Sequence, residues 1–267
     1  MTTAVPTTPA DPPPPTSHAA HKPPNNLVGL ALLAAFLACG YGLTRGVAPG
    51  ILTFLFVMLG WGLSVMAHEF AHAIVAYMGG DHTVKAKGYL AFDPRRYGDL
   101  GTSFVLPLLF LALGGIGFPG GAVYVRTDLM RGPVWRAASA LAGPFATLLV
   151  LLMLSTILRV WAEVGGDGAV YPALAFLAFL QGTALILNLM PIPGLDGFGV
   201  IRPFLPLAWE PGLRKVEGLV MIGFFLLIFL SPVAGQVLFG AGAGVTTALG
   251  VPFDAIRIGF DTFHFWR

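Results

Sequence analysis

The residues best suited to chemistry are two histidines and a glutamate in the segment His68-Glu69-Phe70-Ala71-His72. Residues four apart lie on one face of an α-helix, so both imidazoles can bind a single metal ion. Glu69 follows the first histidine and can reach a water on that metal without being a ligand itself. The pattern predicts a hydrolytic metal site, and the alternative is a pair of packed histidines on a buried helix.

The surroundings of this segment favour the metal site. Glu69 is the only Asp, Glu, Lys or Arg between Gly46 and Gly80. An ionisable residue in hydrocarbon costs about 2.5–3.5 kcal/mol on insertion scales and is functional by default. A zinc ion stabilises the unprotonated forms of its ligands and would remove much of that cost.

A zinc site with two histidines needs a third protein ligand and an open position. Asp196 is the only charged residue from Gly168 to Ile201, and it follows the proline- and glycine-rich stretch after Asn188. Such a stretch breaks a helix, which is tolerated at membrane depth where the backbone is buried or lines a cavity. Two interpretations stay open here: Asp196 supplies the third ligand, or it belongs to a turn in a cytoplasmic loop.

A rival third ligand is Glu163 in the segment Glu163-Val-Gly-Gly-Asp167. Its spacing is used by another group of zinc proteases, but only on a helix. Three glycines at 165, 166 and 168 favour a loop instead.

Composition places these residues in a membrane protein. Hydrophobic residues make up 56% of the 267 and charged residues only 10%, against about 25% charged in soluble domains. The net charge of +2 excludes the basic excess of a nucleic-acid binder. The single cysteine, Cys39, allows neither an intrachain disulfide nor a cysteine-based zinc site.

Apolar runs define the elements that must position the site. Four of them are long enough to cross a bilayer, and a fifth follows near residues 218–239. Residues 240–253 are a weak sixth candidate. The sequence thus predicts an all-α polytopic membrane protein with about six transmembrane helices. The first four runs are Leu27–Leu43, Ile51–Met78, Val134–Leu158 and Val170–Leu189.

Basic residues predict the orientation, because cytoplasmic loops carry an excess of Lys and Arg. Ten of them fall on one side of the predicted spans and only Arg45 and Arg159 on the other. His68 lies 17 residues after Ile51, about 26 Å along a helix, which places it near the inner leaflet with Asp196. The ten are Lys85, Lys87, Arg95, Arg96, Arg126, Arg131, Arg136, Arg202, Arg214 and Lys215.

Three further segments complete the organisation. Residues 1–26 are rich in proline and should form a disordered cytoplasmic tail. Residues 27–267 should form one multi-pass membrane domain, in the cell membrane if the chain is prokaryotic. Residues 80–100 are expected to be a hairpin or loop on the cytoplasmic face, and Phe104–Phe118 a re-entrant or interfacial segment.

Together these motifs resemble the site-2 protease family of intramembrane zinc metalloproteases. The resemblance rests on His-Glu-Phe-Ala-His, on Asn-x-x-Pro-x-Pro-x-x-Asp-Gly ending at Gly197, and on Ala142-Gly-Pro-Phe-Ala-Thr147 between them. At Thr147 the family usually has Asn. The resemblance covers about residues 51–200, the expected catalytic core.

The resemblance implies one zinc ion bound by His68, His72 and Asp196, with Glu69 as general base. It implies that Asn188 contacts the substrate backbone or the oxyanion. The implied reaction is cleavage of single-pass membrane proteins in or near their transmembrane segments, close to the cytosolic face.

Many relatives carry PDZ or CBS domains, for which this chain leaves no room, so we expect a short form of the family. The alternative function is a membrane protein that binds or transports a metal without hydrolysis. The intact Glu69 favours the protease, since a pure binding site needs no base beside its ligand.

Overall fold

The computed structural model describes residues 26–96, 123–165 and 168–267, and within these ranges the chain is helical with no strand. Four long helices form the frame: α1 (Leu27–Thr44), α2 (Pro49–Gly79), α4 (Pro133–Glu163) and α5 (Val170–Leu189). The other helices are α3 (Thr83–Ala86), α6 (Asp196–Ile201), α7 (Glu210–Leu230), α8 (Pro232–Ala248) and α9 (Phe253–Phe263).

The four long helices are those long and apolar enough to cross a membrane. A fifth crossing is formed if the pair spanning Leu207–Leu230 and Pro232–Ala248, bent by 91°, is one broken span. The predicted all-α polytopic membrane protein is confirmed. The number of spans within the described ranges is four or five, because Pro232 ends the apolar run near 218–239 as a straight helix.

Three expectations fall wholly or partly outside the described ranges. They are the tail at 1–26, of which only Asn26 is described, the segment Phe104–Phe118, and the end of the 80–100 loop. The part of this loop up to Arg96 holds the short α3 and a 3-10 turn at Pro94–Arg96. It is therefore a loop rather than a hairpin as far as it is described.

Helix α5 lies at the centre of the bundle, with α2, α4, α8 and α9 packed around it. Apolar residues lie on every side of it, as expected of a helix without a solvent face. Helix α8 approaches it closely at Gly242, where a Cβ atom would lie 2.9 Å from Cα of Thr183. Small residues allow such backbone contact between helices in membranes.

The connections bring three helix ends to one end of the bundle. The amide of Arg131, just before α4, donates to the carbonyl of Gly79 at the end of α2 (2.9 Å). The start of α1 joins the same end, since Gly29 N donates to the Phe92 carbonyl (3.1 Å). This end carries the predicted site.

Candidate active site

The two histidines of α2 face one point between α2, α4 and α6. Their Nε2 atoms are 3.0 Å apart, as the four-residue spacing on a helix predicts. Both residues are buried. The ring nitrogens that face each other are the ones available for a metal ion.

Helix α4 holds the opposite nitrogen of each imidazole. His72 Nδ1 lies 2.7 Å from the carbonyl oxygen of Ser139, which can only accept, so this nitrogen carries the proton. His68 Nδ1 lies 2.9 Å from Thr147 Oγ1, and that hydroxyl donates to the Gly143 carbonyl at 3.3 Å. Both Nε2 atoms are therefore left with lone pairs, which is the tautomer that metal binding needs.

Asp196 completes the group from the break after α5. Pro191 and Pro193 cannot donate helical hydrogen bonds, and Gly194 adopts a φ of +99° that favours glycine. The chain turns there, and α6 begins at Asp196 itself. Its carboxylate oxygens lie 3.1 Å from His68 Nε2 and 3.4 Å from His72 Nε2.

These three side chains could hold a metal ion. Their ligand atoms all lie within 4.8 Å of one another, and among the described residues no other His, Cys or acidic group converges in this way. Two neutral imidazoles and one carboxylate match the donor set of catalytic zinc sites, which keep a further position open. The lone pairs facing each other across 3.0 Å are a second sign that a cation belongs between them.

Glu69 is held beside this group by a main-chain amide. Val123 N donates to Glu69 Oε2 at 3.0 Å. The segment carrying Val123 is anchored further along, because Asp81 Oδ2 accepts from Arg126 N at 2.7 Å. The amide leaves one carboxylate oxygen of Glu69 free for a proton.

A cavity of about 620 Å³ opens from this group at the end of the bundle. His68, Glu69, His72 and Asp196 line it together with Asn188. A second, small cavity of about 30 Å³ adjoins His68 and Glu69 on another side. Ser64, Thr147, Gln181 and Asn188 make its wall partly polar.

Gly143 lets α4 come this close to the imidazoles. A Cβ atom at this position would lie 2.5 Å from His68 Nε2 and would overlap His72 Nε2 as well. Real Cβ atoms do not approach other atoms at this range. Glycine in the Ala-Gly-Pro segment is thus required by packing against the site.

Glu163, the rival ligand, lies at the last turn of α4. Ser139, which contacts His72, is 24 residues earlier on the same helix, so about 36 Å separates the two along the axis. Asp167, the other acidic residue of that motif, lies outside the described residues. The structure does not bring Glu163 to the histidines.

Sequence reasoning missed three groups that position the site. The carbonyl of Ser139 and the amide of Val123 are main-chain atoms, which no side-chain pattern reveals. Thr147 was matched to a family motif, but its bond to His68 was not foreseen. Its position provided a signal, since Ser139, Gly143 and Thr147 recur every four residues on one face of α4.

Comparison with known proteins agrees with this geometry. The protein assigned as zinc metalloprotease Rip2 of Mycobacterium tuberculosis is 38% identical over 240 residues, covering 90% of this chain and 92% of its own length. Rip2 of Mycolicibacterium smegmatis is 41% identical over 177 residues, or 66% of each chain. YwhC of Bacillus subtilis, also assigned as a zinc metalloprotease, is 28% identical over 186 residues, covering 66% of this chain and 80% of its own.

No protein-family model and no solved structure matches the chain significantly. The relatives imply zinc as the metal, and His68, His72 and Asp196 form the group that can bind it. The alignment with Rip2 of Mycobacterium tuberculosis covers nine tenths of this chain. The chain therefore belongs to the site-2 protease family of membrane zinc metalloproteases.

Proposed function

We propose that this protein hydrolyses a peptide bond in or near the transmembrane segment of single-pass membrane proteins, close to the cytosolic face. The observation that carries the proposal is the placement of Glu69. This carboxylate lies in an apolar helix long enough to span a membrane, beside three converging ligands. It also faces a cavity that opens at the end of the bundle.

The residues present fit a catalytic zinc ion. His68 and His72 offer two neutral imidazole nitrogens, and Asp196 offers a carboxylate at 3.1 and 3.4 Å from them. Zinc bound by these residues supplies a Lewis acid that polarises the scissile carbonyl and acidifies a water molecule. Asp196 as the third ligand is part of the proposal.

The protein's own groups then move the proton. Glu69 accepts a proton from the attacking water and delivers it to the leaving amine. The amide of Val123 orients the carboxylate by binding Oε2, so the other oxygen is available for proton transfer. Asn188 lines the cavity next to Glu69, where its amide can donate to the oxyanion or to the substrate backbone.

The substrate must be unwound before it can react, because a transmembrane helix hides its carbonyl groups in hydrogen bonds. The cavity wall near Val123 and Val125 is non-helical chain, which suits pairing with an extended peptide. Substrates of this class lie in the bilayer beside the enzyme. Nucleic acid is not among the proposed partners.

The bias of basic residues supports a cytosolic site and a cytosolic N-terminus. Asn26, just before α1, lies at the same end of the bundle as the site, since its Oδ1 accepts from Phe92 N at 3.0 Å. Lys85, Lys87 and the arginines at the start of α4 also belong to this end. Cytoplasmic ends of membrane helices carry such an excess.

The location of the cleaved bond tests this proposal. The purified protein is reconstituted with membrane-anchored reporters carrying different transmembrane segments, and the products are sized by mass spectrometry. We expect a single cleavage within about two helical turns of the cytosolic end of the segment. Cleavage confined to soluble loops, or zinc binding with no cleavage of any reporter, would contradict the proposal and favour a metal-binding protein without hydrolytic activity.

A further inference from the structure

The charges around the active-site cavity are paired, with one exception. Arg202 binds Glu210 at 2.9 Å and Glu217 at 3.1 Å. Arg214 binds the same Glu210 at 2.9 Å. These pairs neutralise the basic residues on the wall formed by the start of α7 and the chain before it.

Asp128 on the opposite rim is paired as well. Both of its oxygens accept from the Arg126 guanidinium, at 2.8 and 2.7 Å. This hydrogen bonding lowers the pKa of Asp128 to about 2, so the pair stays ionised at neutral pH. Asp128 also lines the cavity, but both of its oxygens are already bound by Arg126.

Arg136 is the exception among the described residues, although Asp128 is near enough to interact with it electrostatically. Its half-buried side chain lines the cavity, and no ion pair or hydrogen bond joins it to the rest of the described chain. Its Nε atom is enclosed without an acceptor. Because Arg126 already binds both oxygens of Asp128, no described carboxylate pairs directly with the Arg136 guanidinium, and an anionic ligand would provide such a partner.

Arg136 lies close enough to the proposed metal site to reach a substrate side chain near the scissile bond. It lies on the face of α4 that also carries Ser139 and Gly143, one turn nearer the cytosolic end. Ser139 contacts His72 directly, so Arg136 is about 4.5 Å further along the axis. An extended peptide advances about 3.3 Å per residue, and a side chain a few residues from the scissile bond would reach it.

We propose that Arg136 binds a carboxylate side chain of the substrate, two to four residues to the cytosolic side of the cleaved bond. This inference rests on the proposed function and specifies its substrates as proteins with an Asp or Glu at that position. A guanidinium donates two parallel hydrogen bonds to a carboxylate, and an amide cannot replace the charge. The residue determines specificity and takes no part in bond cleavage.

Charge exchange between enzyme and substrate tests the inference. A reporter that the wild type cleaves is mapped, and five successive positions on the cytosolic side are changed in turn to Asp, Asn and Lys. At one position we expect kcat/KM to be about tenfold to a hundredfold higher for Asp than for Asn. Arg136→Gln should remove this preference, and Arg136→Glu should reverse it in favour of Lys.

Two controls separate a specific role of Arg136 from a general effect of charge or folding. Arg131→Gln changes a basic residue five positions earlier that does not line the cavity, and it should keep the preference for Asp. Each variant must hold one zinc per chain, which shows that its site is folded.

Cleavage by the wild type without any preference for Asp would overturn the inference and leave the proposed function intact. Equal cleavage by Glu69→Gln would instead refute the proposed function. If Arg136→Glu slows all reporters equally, and only in vesicles containing anionic lipid, the guanidinium binds a lipid phosphate and the inference is wrong.

Discussion

Each imidazole of the proposed zinc site is fixed through its Nδ1 atom by α4. Ser139 does this with a main-chain carbonyl and Thr147 with a hydroxyl. Partners of this kind fix the tautomer and orientation of metal-binding histidines, and losing one costs about 10–100-fold in metal affinity or activity. The side chain at position 147 is therefore a positioning residue for His68.

Replacing the Thr147 hydroxyl tests this role. Thr147→Val keeps the shape but removes the acceptor for His68 Nδ1. We expect zinc affinity, measured by competition with a chelator, to fall about 10–100-fold. Thr147→Ser keeps the hydroxyl and should bind zinc nearly as well as the wild type; equal affinity in the Val variant would show that the hydroxyl is dispensable.

Asp196 and Glu163 make opposite predictions as third ligands. Asp196→Asn should weaken zinc binding and abolish cleavage, because a neutral amide is a poor ligand for zinc. Glu163→Gln should leave both zinc content and turnover unchanged, since the residue lies at the far end of α4. If Glu163→Gln were the inactivating change, the ligand assignment would be wrong.

The side chains proposed to carry the chemistry could be identified from the sequence, while the groups that hold them in place could not. His68, Glu69 and His72 are separated by fixed steps on one helix, so their geometry follows from local structure. The pattern around Asp196 allowed two interpretations, a third metal ligand or a turn in a loop. The distance between α2 and α6 decides between them, and it depends on packing. Val123 acts through its main-chain amide, which every non-proline residue has, so nothing in its identity marked it.

At the scale of elements, α4 supports the site because it can approach α2 closely. Gly143 makes that approach possible, since a Cβ atom there would overlap the imidazole nitrogens that we propose bind zinc. Pro144 follows it within the helix. Proline cannot donate to the carbonyl four residues earlier, which is that of Ala140 on the cavity wall.

Gly143→Ala should separate α4 from α2 and disorder both imidazoles. We expect at least a tenfold loss of zinc affinity, together with about 1–3 kcal/mol of destabilisation from overpacking. Zinc content after dialysis and thermal unfolding in detergent measure the two effects.

Gly223→Ala in α7 is the matched control, because a Cβ atom there meets no other atom. Alanine favours a helix more than glycine does, so this variant should bind zinc normally. Similar behaviour of the two variants would argue against a packing role for Gly143.

The long elements were largely predictable from hydrophobic length. The run Val170–Leu189 coincides with α5, and α1 and α2 extend one or two residues beyond their predicted ends. The bend between α7 and α8 was not predicted, because Ser231 and Pro232 lie within an otherwise continuous apolar run. Apolar length alone does not distinguish a straight span from a broken one.

For the whole molecule, the arrangement of charges and helix ends predicts the topology. The site, the start of α1 and ten basic residues share one end of the bundle, which we expect in the cytoplasm. Single cysteines introduced into a Cys39→Ser background report which side of the membrane each position faces. Cysteine at 85 should react with a membrane-impermeant reagent only from the inside, and cysteine at 163 only from the outside. Labelling from the reverse sides would invert the proposed orientation.

The most direct test of the central claim is a side-by-side measurement of zinc content and cleavage in the wild type and Glu69→Gln. The amide preserves the shape of Glu69 but cannot accept a proton, while the three proposed zinc ligands stay intact. His68→Ala or His72→Ala, which each remove one of those ligands, calibrate the assay for metal loss. We expect one zinc per chain in Glu69→Gln and turnover at least a thousandfold below the wild type, or about 4 kcal/mol in the barrier. Turnover within about tenfold of the wild type with zinc retained would contradict the account.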